Sequence, residues 1–167
     1  MQKTVILTLA LAFSGVSHAA TCDANIARVA PDSRYQTLNN GSEVKDLQTN
    51  LIWQRCSLGQ SWGGSSCSGT ANTYAWQDAM VAASSQKSSG WRLPNIKELQ
   101  TLVEEACESP SINDTLLPIA TTDAMYFSSS PVAKFARAAW VLNFKKGIAF
   151  FNPDNKSELK YVRLVRE

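Results

Sequence analysis

Four cysteines, a single histidine and a few serines near lysines are the residues of this chain whose types could do chemistry. The histidine, His18, stands in a stretch laid out like an export signal. Lys3 precedes an apolar run from Val5 to Phe13, broken only by Thr8, and Ser17-His18-Ala19 offers the small residues a signal peptidase reads. Cleavage is expected after Ala19, with Ala20 as the alternative. The apolar run is too short for a bilayer core of about 30 Å. Residues 1–19 are therefore read as a signal peptide, which places the product in the periplasm, outside the cell or at its surface. Cleavage would leave 148 of the 167 residues and remove the only histidine. Without it there is no Ser-His-Asp or Cys-His machinery, no His-bound zinc and no imidazole acid–base catalyst.

Cys22, Cys56, Cys67 and Cys107 remain, and an even number in an exported domain reads as two disulfides with three possible connectivities. Cys56 and Cys67 bracket a Gly/Ser-rich loop that folds back easily, so they are paired. Cys22 then joins Cys107, tying the N-terminal arm to the end of a helix. A four-thiolate zinc site is disfavoured because no C-x2-C spacing occurs.

Other chemistry is thin. Ser84-Ser85-Gln86-Lys87 matches S-x-x-K, but S-D-N and K-T-G partners are missing, so it reads as a solvated helix end. Ser128-Ser129-Ser130 has only Lys134 as a nearby base. Glu104 and Glu108 share one face at helical spacing, and an exposed helix face is the better reading. Asn152-Pro153-Asp154-Asn155 could offer hard oxygen ligands to calcium, but a turn needs the same residues. No enzyme activity, metal or cofactor is expected.

The elements that must position these residues follow from pattern and composition. With 44% apolar and 18% charged residues the chain is an ordinary globular one, and its length suits a single domain. Arg34–Leu38 and Glu43–Asp46 are extended segments around the turn Asn39-Asn40-Gly41. Leu51–Arg55 is β-prone, and residues 57–72 form a loop. Trp76, Ala79, Met80 and Ala83 mark a helix over Thr73–Ala83. Asn95 and Glu98 form a capping-box variant at the start of a second helix, whose stripe is Ile96, Leu99, Leu102, Val103 and Ala106. Four β-like pieces follow: Met125–Ser129, Ala138–Phe144, Gly147–Asn152 and Lys160–Arg166. The last alternates as a strand partly exposed on one face. The pattern is α+β, with residues 20–32 an N-terminal arm and 33–167 the domain.

The series DLQTNLIWQRC, TYAWQDAM, GWRLPNIKELQTLVE, YFSSSP, AAWVLNFKKG and YVRLVR, over roughly residues 33 to 166, resembles the Lcl C-terminal domain family. GWRLPNIKEL is its most specific piece. The resemblance implies a C-type-lectin-like fold with two helices on short antiparallel sheets and paired N- and C-terminal strands. It also implies a relation to formylglycine-generating-enzyme-like proteins, although no active-site cysteine arrangement maps onto four bridged cysteines. The family's namesake is the trimeric tail of a collagen-like bacterial adhesin that binds sulfated glycosaminoglycans. This chain lacks a Gly-X-Y stretch, and it has Phe127 and Leu164 where the family often has Trp and Cys.

Most motif residues read as structural: Trp53, Trp76, Trp91 and Trp140 as core aromatics, Leu93 and Pro94 as the strand end, and Arg92 with Glu98 as an ion pair or cap beside Asn95. Trp62 lies inside the Gly/Ser loop without a periodic partner, so loop anchoring and ligand stacking both stay open. Net charge is +2, too mild for a nucleic-acid binder, but it hides a polarised chain. Residues 131–167 carry +5 and residues 20–130 carry −4. Lys134, Arg137, Lys145, Lys146, Lys156 and Lys160 are thus candidates for a patch that meets a polyanion. The expected function is an exported, non-catalytic module for anionic polysaccharide or an envelope partner, with trimerisation implied by the resemblance. A pilus or surface-assembly subunit, or an enzyme of the lectin-like superfamily, is the alternative.

Overall fold

The computed structural model describes residues 20–167; the segment read as a signal peptide, residues 1–19 with His18, lies outside them. In chain order the elements are β1 (Thr21–Cys22), β2 (Tyr35–Leu38), β3 (Glu43–Asp46), β4 (Ile52–Gln54), β5 (Ser61–Trp62), β6 (Cys67–Ser68), β7 (Thr73–Tyr74), α1 (Trp76–Ser85), α2 (Ile96–Gln100), β8 (Cys107–Glu108), β9 (Met125–Val132), β10 (Phe135–Asn143), β11 (Ile148–Phe150), β12 (Lys160–Tyr161) and β13 (Val165–Arg166). Among the described residues no helix is long and apolar enough to cross a membrane.

The class is α+β. One sheet runs β11-β10-β9-β12-β7 and another β13-β4-β3-β2, with two-stranded pairs β1-β8 and β5-β6 at the margins. Pairing is antiparallel except where β12 meets β9. The C-terminal strand joins the first hairpin's sheet beside β4, through Val165 opposite Trp53. It thereby meets the sheet built by the domain's first strands, while β1 of the N-terminal arm pairs with β8.

Strand periodicity explains the core. Successive side chains leave a strand on opposite faces, so neighbours are sent to different clusters. Tyr126, Leu142 and Val165 join Trp53, Leu99 and Leu102 in one cluster. Phe127, Val141 and Leu164 join Trp91 and Leu93 in the other. Phe127 and Leu164 are fully buried.

Both disulfides connect as the sequence suggests, Cys22 to Cys107 and Cys56 to Cys67. Cys107, however, lies on β8 directly opposite Cys22, not at a helix end. The first helix starts later than expected, at Trp76. The β-prone pair Thr73-Tyr74 instead closes the sheet edge against Lys160 and Tyr161.

The second helix is shorter than its apolar stripe. Leu102 and Val103 donate to Leu99 and Gln100, three residues back, so the last turn tightens and opens. Val103 then bridges Ile112. Glu104, expected on an exposed helix face, is fully buried. Its carboxylate accepts the backbone N–H groups of Val29, Ala30 and Ala106, and Arg28 pairs with it at 2.9 Å. A carboxylate that leaves water must collect such donors, and here three of the four come from the N-terminal arm.

The expected strand Lys160–Arg166 is split in two because Arg163 turns inward. Residues 162–165 are buried without a break, and Arg163 is wholly inaccessible. It donates to the carbonyls of Gln54, Arg55 and Pro118 and has no carboxylate partner. Burial pushes its guanidinium down from the ordinary value.

Candidate functional site

The motif GWRLPNIKEL is a clamp. Asn95 accepts the Glu98 N–H at 2.9 Å while Glu98 accepts the Asn95 N–H at 2.7 Å, a complete capping box. Arg92 grips the same carboxylate with two bonds of 2.8 and 2.9 Å. Burial would raise the Glu98 carboxyl, but Arg92 and the Asn95 N–H outweigh it and hold it below the usual range. Pro94 accepts from Ser129, Ser130 Oγ accepts from Ile96, and Ser128 Oγ donates to Trp140 O. Trp76 Nε1 donates to Ser128 O at 2.8 Å. The serine run thus couples the two helices to β9. Trp53 and Trp91 are buried, whereas Trp76 and Trp140 are only partly so.

Serines that could have been nucleophiles are also used structurally. Ser84 and Ser85 donate to carbonyls one turn back in α1. In the Asn152–Asn155 turn, Asn155 is buried and its amide pairs with both backbone groups of Ala139 at 2.8 and 2.9 Å. Asp154 pairs with Arg137 at 2.8 Å.

The structure divides the candidate cations. Lys134, Arg137 and Lys156 gather at the β9–β10 turn, where Lys156 Nζ lies 4.1 Å from the Trp76 ring and bonds Ala136 O. Phe135, Trp140 and Phe151 stack beside them, with centroids 5.0 to 5.5 Å apart. Lys145 and Lys146 sit at the opposite end of β10, about 25 Å away at a strand rise of about 3.3 Å per residue. Lys145 is paired with Asp123 at 2.7 Å, and Lys146 lines a cleft with Glu105 and Glu108. Lys160 is paired with Glu158. Arg163, counted in the C-terminal charge, reaches no surface.

Trp62 occupies the more developed site. It lies on β5 opposite Cys67, whose disulfide anchors the hairpin to Cys56 behind β4. Arg55 stacks on one face of the indole, 3.6 Å from the ring centroid. The chain passes at Gly41, where a Cβ would fall 2.8 Å from Trp62 Nε1 and φ is +84°. Only glycine takes that approach and that conformation without strain. Three restraints therefore hold one half-buried aromatic.

The rest of the ring helps line an open cleft of about 510 Å³, within the range of about 300–1,000 Å³ usual for small-ligand sites. Gln54 from β4, Gln60 from the loop, Gln86 past the end of α1, Glu43 from β3 and Trp91 contribute its other walls. Glu43 accepts from Arg166 at 2.7 Å. Arg55 is almost buried, bonds the carbonyls of Gly41 and Thr115, and is pushed down from its ordinary value by desolvation. Neither lysine nor arginine lines this cleft. Of its residues the sequence singled out Trp62 for a ligand role; the glutamines come from distant segments with no shared spacing.

The Lcl C-terminal domain family model matches residues 42–166. No curated protein matches the chain at a significant level. The match spans most of the chain and includes every piece of the motif series after Ser42, so the chain belongs to the Lcl C-terminal domain family.

Proposed function

We propose that this member of the family is an exported, non-catalytic binding module of C-type-lectin-like architecture, and that it recognises a glycan in the Trp62 cleft. The observation that carries the reading is an indole fixed by a disulfide hairpin, a stacked guanidinium and a glycine contact, yet left to line a cleft. Core packing does not account for such restraint on a half-buried side chain. Rigid aromatics serve as contact surface at low entropic cost, and planar amides around them suit ligands rich in hydroxyls. Two disulfides and the N-terminal signal support export. The hydroxyls of Ser84, Ser85, Ser128 and Ser130 are engaged in backbone bonds and the carboxylates of Asp46, Glu98 and Glu104 in ion pairs, which favours binding over catalysis at those residues.

An anionic polysaccharide has less support as the ligand, because the lysines and arginines are split between two ends of β10 and several are paired. A glycan array probed with the exported protein and with Trp62→Ala tests the reading. The variant is expected to keep the wild-type melting curve within a few degrees and to bind at least about tenfold more weakly, equivalent to about 1.4 kcal/mol. Equal binding by both proteins would refute the site.

A further inference from the structure

The walls of the cleft also specify the charge of what they hold. Five of its side chains, Gln54, Gln60, Gln86, Ser42 and Ser61, are neutral and offer both donors and acceptors. Its one formal charge, Glu43, is already matched by Arg166. Arg55, which has no carboxylate partner, covers one face of the Trp62 ring, spends its guanidinium on the Gly41 and Thr115 carbonyls and does not line the cleft.

A sulfate or carboxylate accepts hydrogen bonds and donates none. Placed in this cleft it would face amide carbonyls and Glu43, and the cation at that wall, Arg166, is already committed to Glu43 and stacked on Trp91; a desolvated anion without a free partner is unfavourable. A sugar hydroxyl both donates and accepts, so it satisfies an amide or a serine in either direction. We infer that the Trp62 cleft takes an uncharged glycan, held by stacking and neutral hydrogen bonds with no ion pair. This rests on the glycan-binding reading and narrows it. The basic cluster at the β9–β10 turn is a separate surface and takes no part.

Native gels containing one polysaccharide each test this with the exported protein: dextran, laminarin, glucomannan and xyloglucan as uncharged probes, heparin and alginate as anionic ones. At least one uncharged polysaccharide is expected to retard the wild type, and Trp62→Ala and Gln60→Ala to reduce that retardation fivefold or more. The retardation should be the same at about 50 and about 500 mM salt, because no ion pair is there to be screened. If only heparin or alginate retards the protein, and Trp62→Ala abolishes it, the uncharged assignment falls while the glycan-binding cleft stands. If no polysaccharide retards it, both fall.

Discussion

Replacing Glu104 by glutamine changes one charge and almost no volume, and it should destabilise the protein far more than a surface change of the same kind. One carboxylate oxygen accepts from Val29 and Ala106 at 3.1 Å; the other accepts from Ala30 at 2.8 Å and Arg28 at 2.9 Å. Glutamine keeps a single acceptor oxygen. Turned toward Val29 and Ala106, it points its own N–H groups at the Ala30 N–H, a donor facing a donor in a buried site. Charge-assisted bonds contribute about 1.5–3 kcal/mol each and neutral ones about 0.5–1.5 kcal/mol. Arg28 is substantially exposed and is left out of the sum. Losing one bond and weakening two amounts to about 3 kcal/mol. For a chain of this length that lowers the melting midpoint by roughly 6–12 °C.

The pH dependence has a definite sign. Burial alone would raise the Glu104 carboxyl, but Arg28 and three backbone N–H groups outweigh it and hold it below the ordinary range. Its contribution is therefore complete above the unfolded value of about 4.3 and is lost as pH falls through the lower folded value. Asp46 and Glu98 are held low in both proteins and cancel in the comparison. Thermal unfolding followed by circular dichroism at neutral pH and at about pH 3 should show a wide gap that narrows in acid. A variant melting within a degree of wild type at neutral pH, or a gap that widens in acid, would refute the buried clamp.

Two further outcomes rest on single devices. Asn95→Ala removes half of the capping box and should cost about 1 kcal/mol; an unmoved melting midpoint would show that Ser130 and Arg92 secure the helix start without it. Paired cysteine-to-serine substitutions should differ in size and consequence, because the chain separations are 85 and 11 residues. The chain-entropy model gives roughly 4.5 kcal/mol for Cys22–Cys107 and roughly 3 kcal/mol for Cys56–Cys67, measured by denaturant unfolding. Only the second pair should weaken glycan retention, since it holds the Trp62 hairpin; retention lost equally in both variants would count against that role.

Features set by neighbouring residues were legible in the sequence. The turn at Asn39-Asn40-Gly41, the Asn95–Glu98 cap and the Arg92–Glu98 pair are all interactions over six residues or fewer, so type and spacing are enough to imply them. The disulfide across the Gly/Ser loop, 11 residues apart, was legible because that loop folds back easily, and Cys22–Cys107 followed by elimination. What failed were charged residues whose partners come from a distant segment. Glu104 looked like a solvated helix carboxylate because Val29 and Ala30 lie some seventy residues earlier. Arg163 looked half-exposed because strand alternation cannot reveal carbonyls converging from Gln54, Arg55 and Pro118. Both are charged groups that the fold buries and meets largely with backbone groups, which leaves no compositional trace.

The binding surface shows the same division more sharply. A charge count along the chain treats Arg137 and Lys145 as neighbours, yet β10 carries them to opposite ends of one strand. A nine-residue strand spans about 25–30 Å, well beyond the screening length of about 8 Å in physiological salt, so the two groups act on a ligand independently. The cleft does the reverse: Glu43, Gln54, Gln60 and Gln86 are spread over more than forty positions and meet around one indole. Trp62 alone was visible beforehand, because it lacked the periodic apolar partners that a core aromatic needs. Its position in a disulfide-closed hairpin turns that missing partner into an argument for an external one.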